Sequence, residues 1–377
     1  MNFLFVCGGS AGHINPALAV AAELQRTLPE SGILFAGADK ILEKRLVPDA
    51  GFKLINIKMS GLRRGFSPED IIHNIKTAGN LVLADHKSKK LLKEYKPDAV
   101  IGTGGYVCYP VLRKAAKIGI PTFVLEPNAY PGLSVRMLSA VVDKVLVTYK
   151  GLERRYRRPE RVVYTGTPLR REFINIENAL SPPNRKEKPL VISYWGSHGA
   201  AGMNEKMLDF IRLNSEESKF NHIHATGISN SAEMMIKRLK ELGIHEIKPP
   251  LTDIREYIND MPLVMMDADI VLSRAGASTI AELTTLGKPA ILIPSPNVTE
   301  NHQEENAKQL QKAGGAVMIP EKECTGDVLY REVSSLLDNK IKLEKMSKAQ
   351  KSLSVPNAAN KIVSIVLDFC ADKNQGR

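Results

Sequence analysis

Aromatic residues are sparse in this 377-residue chain, at 6% with a single tryptophan. That leaves little for stacking on bases, and no aromatic RNA-binding pattern or basic recognition helix is present, so nucleic acid is not an expected partner. Cysteine is scarce as well. Cys7, Cys108, Cys324 and Cys370 lie far apart, without CxxC or Cys/His ligand spacing, which argues against a zinc site and for a reducing compartment. No run approaches the roughly 20 apolar residues that span a bilayer. Phe3–Cys7 is too short for the apolar region of a signal peptide, so an intracellular protein not integral to a membrane is expected. Two nucleotide-binding signatures are missing. There is no GxxxxGK[ST], and no GxGxxG with an acid closing the second strand, Ile33-Leu-Phe-Ala36. No DxD-like pair stands at a strand end to hold Mg²⁺; Asp267-Ala-Asp269 leads into a strand. Neither a metal nor a cofactor is expected.

What is present is an ordinary globular composition, 43% hydrophobic and 25% charged, at a length that implies two domains. Charge is uneven. Residues 1–163 hold 25 Lys and Arg against 14 Asp and Glu, while the remainder holds 27 of each, so the whole net charge of +11 lies in the first part. That part is expected to face an anionic surface or substrate, or else to be a basic solvated face.

Both halves alternate short β-rich runs with helical patterns, as parallel sheets with crossover helices do. The runs in the first half are Phe3–Cys7, Ile33–Ala36, Lys53–Ile57, Ala99–Ile101, Thr122–Leu125 and Lys144–Val147. In the second they are Leu190–Tyr194, His222–Ala225, Ile270–Leu272, Ala290–Ile293 and Ala316–Ile319. The polar, proline-bearing stretch from about Asn175 to Lys188 reads as an interdomain linker. The expected architecture is α/β, two Rossmann-like domains facing across a cleft, with ligands at the carboxyl ends of the strands.

Four glycine-bearing turns follow predicted strands: Gly8-Gly-Ser-Ala-Gly-His13, before a helix opened by Pro16; Gly102-Thr-Gly-Gly-Tyr106; Gly196-Ser-His-Gly-Ala200; and Ala275-Gly-Ala-Ser278. Glycine lets phosphate oxygens approach backbone amides, and a helix N-terminus favours anions. Glu282, one turn inside the helix that begins near Ser278, can accept hydrogen bonds from vicinal sugar hydroxyls. His302, Gln303 and Asn306 reach the same rim from the loop after Pro294. This set suits a nucleotide sugar. His13 is a candidate general base or phosphate contact, or a cap of its turn. Glu126, in Leu125-Glu-Pro-Asn128, is the alternative base, or only a turn acid. Arg170, in Gly166-Thr-Pro-Leu-Arg170, can meet a diphosphate or serve as a hinge ion-pair partner.

These motifs, with Ser60-Gly-Leu-Arg63, Ile258-Asn-Asp-Met261 and His302-Gln-Glu-Glu-Asn-Ala307, run through nearly the whole chain in an order that resembles glycosyltransferase family 28, the metal-independent GT-B enzymes of peptidoglycan synthesis. The resemblance implies transfer of GlcNAc from UDP-GlcNAc, β1→4 and with inversion, to the MurNAc of lipid I, giving lipid II. It implies a donor site of Ser10, Ala11, Gly12, Asn128, Arg170, Ser197, Ile258 (through its backbone, to uracil), Ala277, Ser278, Thr279, Glu282 (to the ribose), Gln303 and Asn306. Gly9, Gly104, Gly105 and Tyr106 would receive the acceptor's diphosphate. Residues 1–165, joined by a C-terminal helix at 357–371, would form the acceptor- and membrane-facing domain, and 166–356 the UDP-sugar domain. Partners would be UDP-GlcNAc, lipid I, an anionic membrane leaflet on the cytoplasmic face, and a wall-synthesis complex. For the membrane, His73–Tyr95 mixes Ile75, Leu81, Val82, Leu83, Leu91 and Leu92 with Lys76, Lys87, Lys89, Lys90 and Lys93; a core helix with a lysine-rich outer face is the plain alternative. The family's usual GGTGGH is here Gly8-Gly-Ser-Ala-Gly-His13, and its usual HEQN is Leu125-Glu-Pro-Asn128. The same fold would also serve a diacylglycerol glycosyltransferase or a UDP-GlcNAc 2-epimerase. The first has no acceptor diphosphate for the Gly8–His13 turn, and the second has no use for a basic membrane face.

Overall fold

A computed structural model describes residues 1–57, 59, 61, 67–179, 187–245 and 247–375. The chain divides into two compact units, Met1–Arg170 with the segment from Val355, and Arg171–Ser354. In the first, seven parallel strands run in the order β3-β2-β1-β4-β5-β6-β7. They are β1 (Asn2–Val6), β2 (Gly32–Gly37), β3 (Lys53–Asn56), β4 (Ala99–Gly102), β5 (Thr122–Glu126), β6 (Lys144–Val147) and β7 (Val162–Tyr164). The helices between them are α1 (Ala11–Thr27), α2 (Ile41–Asp49), α3 (Pro68–Tyr95), α4 (Cys108–Lys117) and α5 (Leu133–Leu138).

The second unit opens with α6 (Arg171–Ala179) and orders six parallel strands β10-β9-β8-β11-β12-β13. These are β8 (Leu190–Tyr194), β9 (Asn221–Ala225), β10 (Thr252–Arg255), β11 (Ile270–Ser273), β12 (Ala290–Leu292) and β13 (Ala316–Met318). Around them lie α7 (Ala201–Glu217), α8 (Ala232–Glu241), α9 (Met261–Asp267), α10 (Ala277–Leu286), α11 (His302–Ala313), α12 (Gly326–Asp338) and α13 (Lys340–Leu353). The last helix, α14 (Ala358–Gln375), belongs to the first unit. Its Ile362, Val363 and Val366 join the core formed by Phe3, Phe5, Ile14, Ala17 and Val20, and Asn360 Nδ2 donates to Glu23 Oε1 of α1 at 2.7 Å.

Central strands such as β4, β5, β8 and β11 are buried at every residue, because helices cover both faces of a parallel sheet. That makes them read as unbroken apolar runs. β7 and β10 were not anticipated. Both are edge strands only partly covered, and Thr252-Asp-Ile-Arg255 carries one apolar residue in four.

Four local expectations change. The first helix starts at Ala11 rather than at Pro16, which lies inside it and removes one interior hydrogen-bond donor. The stretch taken as a linker from about Asn175 is helical to Ala179, and α6 packs on α9 and α10 of the second unit; residues 180–186 lie outside the described residues. Residues 166–170 stay with the first unit, where the Thr165 and Gly166 N–H groups still bond to the Val147 carbonyl. Leu91 and Leu92, read as membrane candidates, are core residues, since α3 packs on α4. Leu83 and Ile72 of the same helix are 63% and 54% exposed. The side chains of Ile75, Lys76 and Val82 lie outside the description, as do Ser60, Leu62 and Arg63.

Candidate active site

In the first sheet the strand order reverses between β1 and β4, so a crevice forms beyond their carboxyl ends, where open α/β sheets take ligands. Two of the glycine turns leave from these ends. After β1 the chain turns through Gly8–Ser10 and enters α1, the Ser10 carbonyl accepting from the His13 and Ile14 N–H groups at 3.0 and 3.1 Å. The N–H groups of Ala11 and Gly12 open the helix and have no acceptor within it, which suits them to an anion. Ala11 is helical and accommodates its β-carbon. Gly9 departs from expectation: its N–H donates to Glu43 Oε1 at 2.7 Å and so points into the protein.

After β4, Gly104 and Gly105 adopt φ of +108° and +87°. A β-carbon on Gly104 would lie 2.4 Å from His13 Nδ1, and one on Gly105 would lie 2.4 Å from the Gly8 carbonyl oxygen. Glycine is therefore needed for the two turns to touch. Cys108 Sγ–H donates to the Gly104 carbonyl at 2.9 Å, and the half-exposed Tyr106 lies over Gly61. His13 is tied to this second turn twice. Its Nδ1 is 2.9 Å from the Thr103 carbonyl, and Thr103 Oγ1 donates to the His13 carbonyl at 2.6 Å. A carbonyl only accepts, so Nδ1 carries the proton and Nε2 is the basic atom of the neutral ring.

Glu126 ends β5 and is 2% exposed. Its Oε1 accepts from the Asn128 N–H at 3.0 Å and from Asn128 Nδ2 at 2.9 Å, and its Oε2 from the Gly132 N–H at 2.9 Å. Burial pushes the carboxyl up to about 7, against the pull of these three donors. Both oxygens shape the 127–132 loop. Of the two roles read for it in the sequence, this geometry matches the turn acid, and it also orients Asn128.

In the second unit the order reverses between β8 and β11. The turn after β8 closes with Gly199 N–H on the Gly196 carbonyl at 3.0 Å, leaving Ser197 and His198 exposed; His198 Nδ1 lies 3.2 Å from Ser229 Oγ. After β11, Gly276 caps α10, and Ala277, Ser278 and Thr279 form its first turn. Ser278 Oγ is buried without a hydrogen-bond partner among the described residues. Half-buried Glu282 stands one turn further on, near the Tyr194 phenol, which burial first and this carboxylate next push up.

One residue of α11 is turned differently from expectation. Asn306 is fully buried, and its Nδ2 donates to the Ala275 carbonyl at 3.1 Å, so it holds the β11–α10 turn from behind. Gln303 Oε1 accepts from the Ser295 N–H at 2.9 Å. Arg274 likewise braces the turn, reaching the Ile293 carbonyl at 3.0 Å and Glu321 Oε2 at 2.7 Å. The Ile258 side chain is buried in the loop after β10, and Arg170 is exposed at the end of the first unit. Asp269, of the Asp-Ala-Asp sequence, accepts from the Leu190 N–H at 2.8 Å at the opposite end of the sheet. Glu43, Tyr194 and the bracing role of Arg274 were missed. Each acts on a partner distant in sequence, and no local pattern marks it.

Comparison with known proteins agrees with this geometry. Residues 3–147 match the glycosyltransferase family 28 N-terminal domain, and residues 192–362 match its C-terminal domain. A protein of Acetivibrio thermocellus named UDP-N-acetylglucosamine–N-acetylmuramyl-(pentapeptide) pyrophosphoryl-undecaprenol N-acetylglucosamine transferase is 40% identical, covering 100% of both chains. One of the same name from Ruminiclostridium cellulolyticum is 39% identical over 98% of this chain and 100% of its own. The crystal structure of Acinetobacter baumannii MurG superposes with a TM-score of 0.75 at 24% identity, covering 98% of this chain and 100% of that one, a likeness of the GT-B fold. With both domains matched in order and relatives collinear from end to end, the chain belongs to glycosyltransferase family 28.

Proposed function

We propose that this chain transfers GlcNAc from UDP-GlcNAc to the MurNAc of undecaprenyl-pyrophosphoryl-MurNAc-pentapeptide, forming a β1→4 link with inversion. The observation that carries the reading is His13, whose proton is held at Nδ1 by the Thr103 carbonyl beside the open N-terminus of α1. The name borne by full-length relatives at about 40% identity points the same way.

In this reading His13 Nε2 takes the proton of the acceptor hydroxyl as its oxygen attacks the anomeric carbon. The bond from that carbon to the phosphate oxygen breaks, and its electron pair leaves on UDP. The Ser197 turn, the first amides of α10 at Ala277–Thr279 and Arg170 offset the charge that grows there. Glu282 takes the ribose hydroxyls, the Ile258 backbone meets uracil, and Gln303 meets GlcNAc. Asn306 and Arg274 hold the donor turn in shape, and Glu126 sets Asn128. The acceptor diphosphate meets the Ala11 and Gly12 amides with Gly104–Tyr106.

A polyprenyl acceptor also gives the basic first unit a purpose. Ile72 and Leu83 on α3 and Leu133 and Met137 on α5 are exposed, on helices that both pack against α4. With the surrounding lysines they suit contact with an anionic leaflet, and in this reading the enzyme acts peripherally at the cytoplasmic face in wall synthesis. No helix among the described residues is long and apolar enough to cross a membrane. The test is transfer of labelled GlcNAc from UDP-GlcNAc to a lipid I analogue with EDTA present. A disaccharide-lipid product is expected; tight UDP-GlcNAc binding without transfer would point to another acceptor or to epimerisation.

A further inference from the structure

Glu43 lies in the first turn of α2, 34 residues from the turn it touches, and is fully buried. A buried carboxylate is costly unless donors meet it, and here each oxygen meets one. Oε1 accepts the Gly9 N–H at 2.7 Å and Oε2 the Lys40 N–H at 3.1 Å. The Lys40 bond alone would satisfy the start of α2. The Gly9 bond does something else: it ties α2 to the turn between β1 and α1. The fit is close on both sides. A β-carbon at Gly8 would lie 2.8 Å from Oε1, and one at Gly37 would lie 2.9 Å from Oε2. Beyond Gly8 stands Gly105, against the Gly8 carbonyl, so a shift of the first turn is passed to the second.

We propose that Glu43 is a positioning residue for the acceptor's diphosphate. By drawing the Gly9 N–H inward it sets the backbone of the turn, so that the Ala11 and Gly12 amides are the donors presented to an anion and the Gly8 carbonyl keeps its place against Gly105. Glu43 touches no substrate; it acts through the turn. The inference rests on the reading that this turn receives the acceptor's diphosphate.

The test is Glu43→Gln. The amide can accept from Gly9 through its oxygen, but its nitrogen then faces the Lys40 N–H donor to donor, so the pair of bonds cannot both survive. KM for the lipid acceptor is expected to rise about tenfold, the scale of one hydrogen bond to a charged group, with KM for UDP-GlcNAc unchanged. Inorganic pyrophosphate, as a competitor of the acceptor, should weaken in parallel. A merely structural role would lower the amount of active enzyme without separating the two KM values. Equal effects on both substrates, or unaltered pyrophosphate inhibition, would overturn the proposal. If pyrophosphate does not compete with the acceptor in the unaltered enzyme, the reading of the turn itself fails. Should Glu43→Gln not fold, Glu43→Asp carries the same test, since the shorter carboxylate keeps its charge and the Lys40 bond but loses Gly9.

Discussion

Among single residues, His13 and Glu126 show how far a residue type goes and where its neighbours take over. Glu126 ends β5 and His13 lies in the first turn of α1, after the glycine turn that follows β1, and the sequence offers each as a base. Three N–H donors turn Glu126 into the organiser of its own loop, whereas His13 is anchored at Nδ1 by a carbonyl that selects its tautomer. His13→Ala is therefore expected to lower kcat by about two to four orders of magnitude, the usual worth of general-base catalysis, with KM for UDP-GlcNAc unaffected. Steady-state kinetics in both substrates checks this, and full activity in the variant would remove His13 as the base. Asn306 and Gln303 carry the same lesson. They are polar residues near a ligand rim, yet one supports the Ala275 carbonyl and the other the Ser295 amide.

Within the secondary-structure elements, the buried strands were legible from their apolar runs, and so were the edge strands Lys53–Asn56 and Ala316–Met318. The edge strands Val162–Tyr164, only three residues long, and Thr252–Arg255, with one apolar residue in four, were not. Two central strands of the second sheet hold a feature that strand periodicity hides. Ser193 Oγ of β8 lies 2.8 Å from His222 Nε2 and 2.7 Å from His224 Nδ1 of β9, all three fully buried, with His222 edge-on to Phe210 at 5.0 Å. Burial holds both imidazoles below their ordinary 6.5, His222 well below and His224 down to about 3. The unfolded chain protonates them near 6.5 while the folded pair stays neutral. Their contribution to stability is thus complete above pH 6.5 and is lost as pH falls below it, by about 1.4 kcal/mol per pH unit per histidine. Urea denaturation of the second unit should show this decline from pH 6.5 to 5, and His224→Asn should roughly halve its slope. A slope that the substitution leaves unchanged would show that these rings do not set it.

For the molecule as a whole, the net charge of +11 falls within residues 1–163, in the unit whose α3 and α5 expose Ile72, Leu83, Leu133 and Met137. Sedimentation with vesicles is expected to show binding when anionic lipid is present, weakening as salt rises. Leu83→Glu should reduce that binding while leaving transfer to a detergent-soluble acceptor intact. Equal binding to neutral and anionic vesicles would remove charge as the cause.

The sequence by itself determined the two parallel-sheet domains, most of their strands and the four glycine turns, because buried runs, helical periodicity and turn chemistry are local. It also carried the family, through motifs that stay in order along the chain. Tertiary structure alone decided which polar groups face a ligand and which face the protein. Gly9 turns to Glu43, Asn306 to Ala275 and His13 to Thr103. The physical reason is that a buried donor or acceptor must find its partner wherever packing brings one, and these partners lie 34, 31 and 90 residues away.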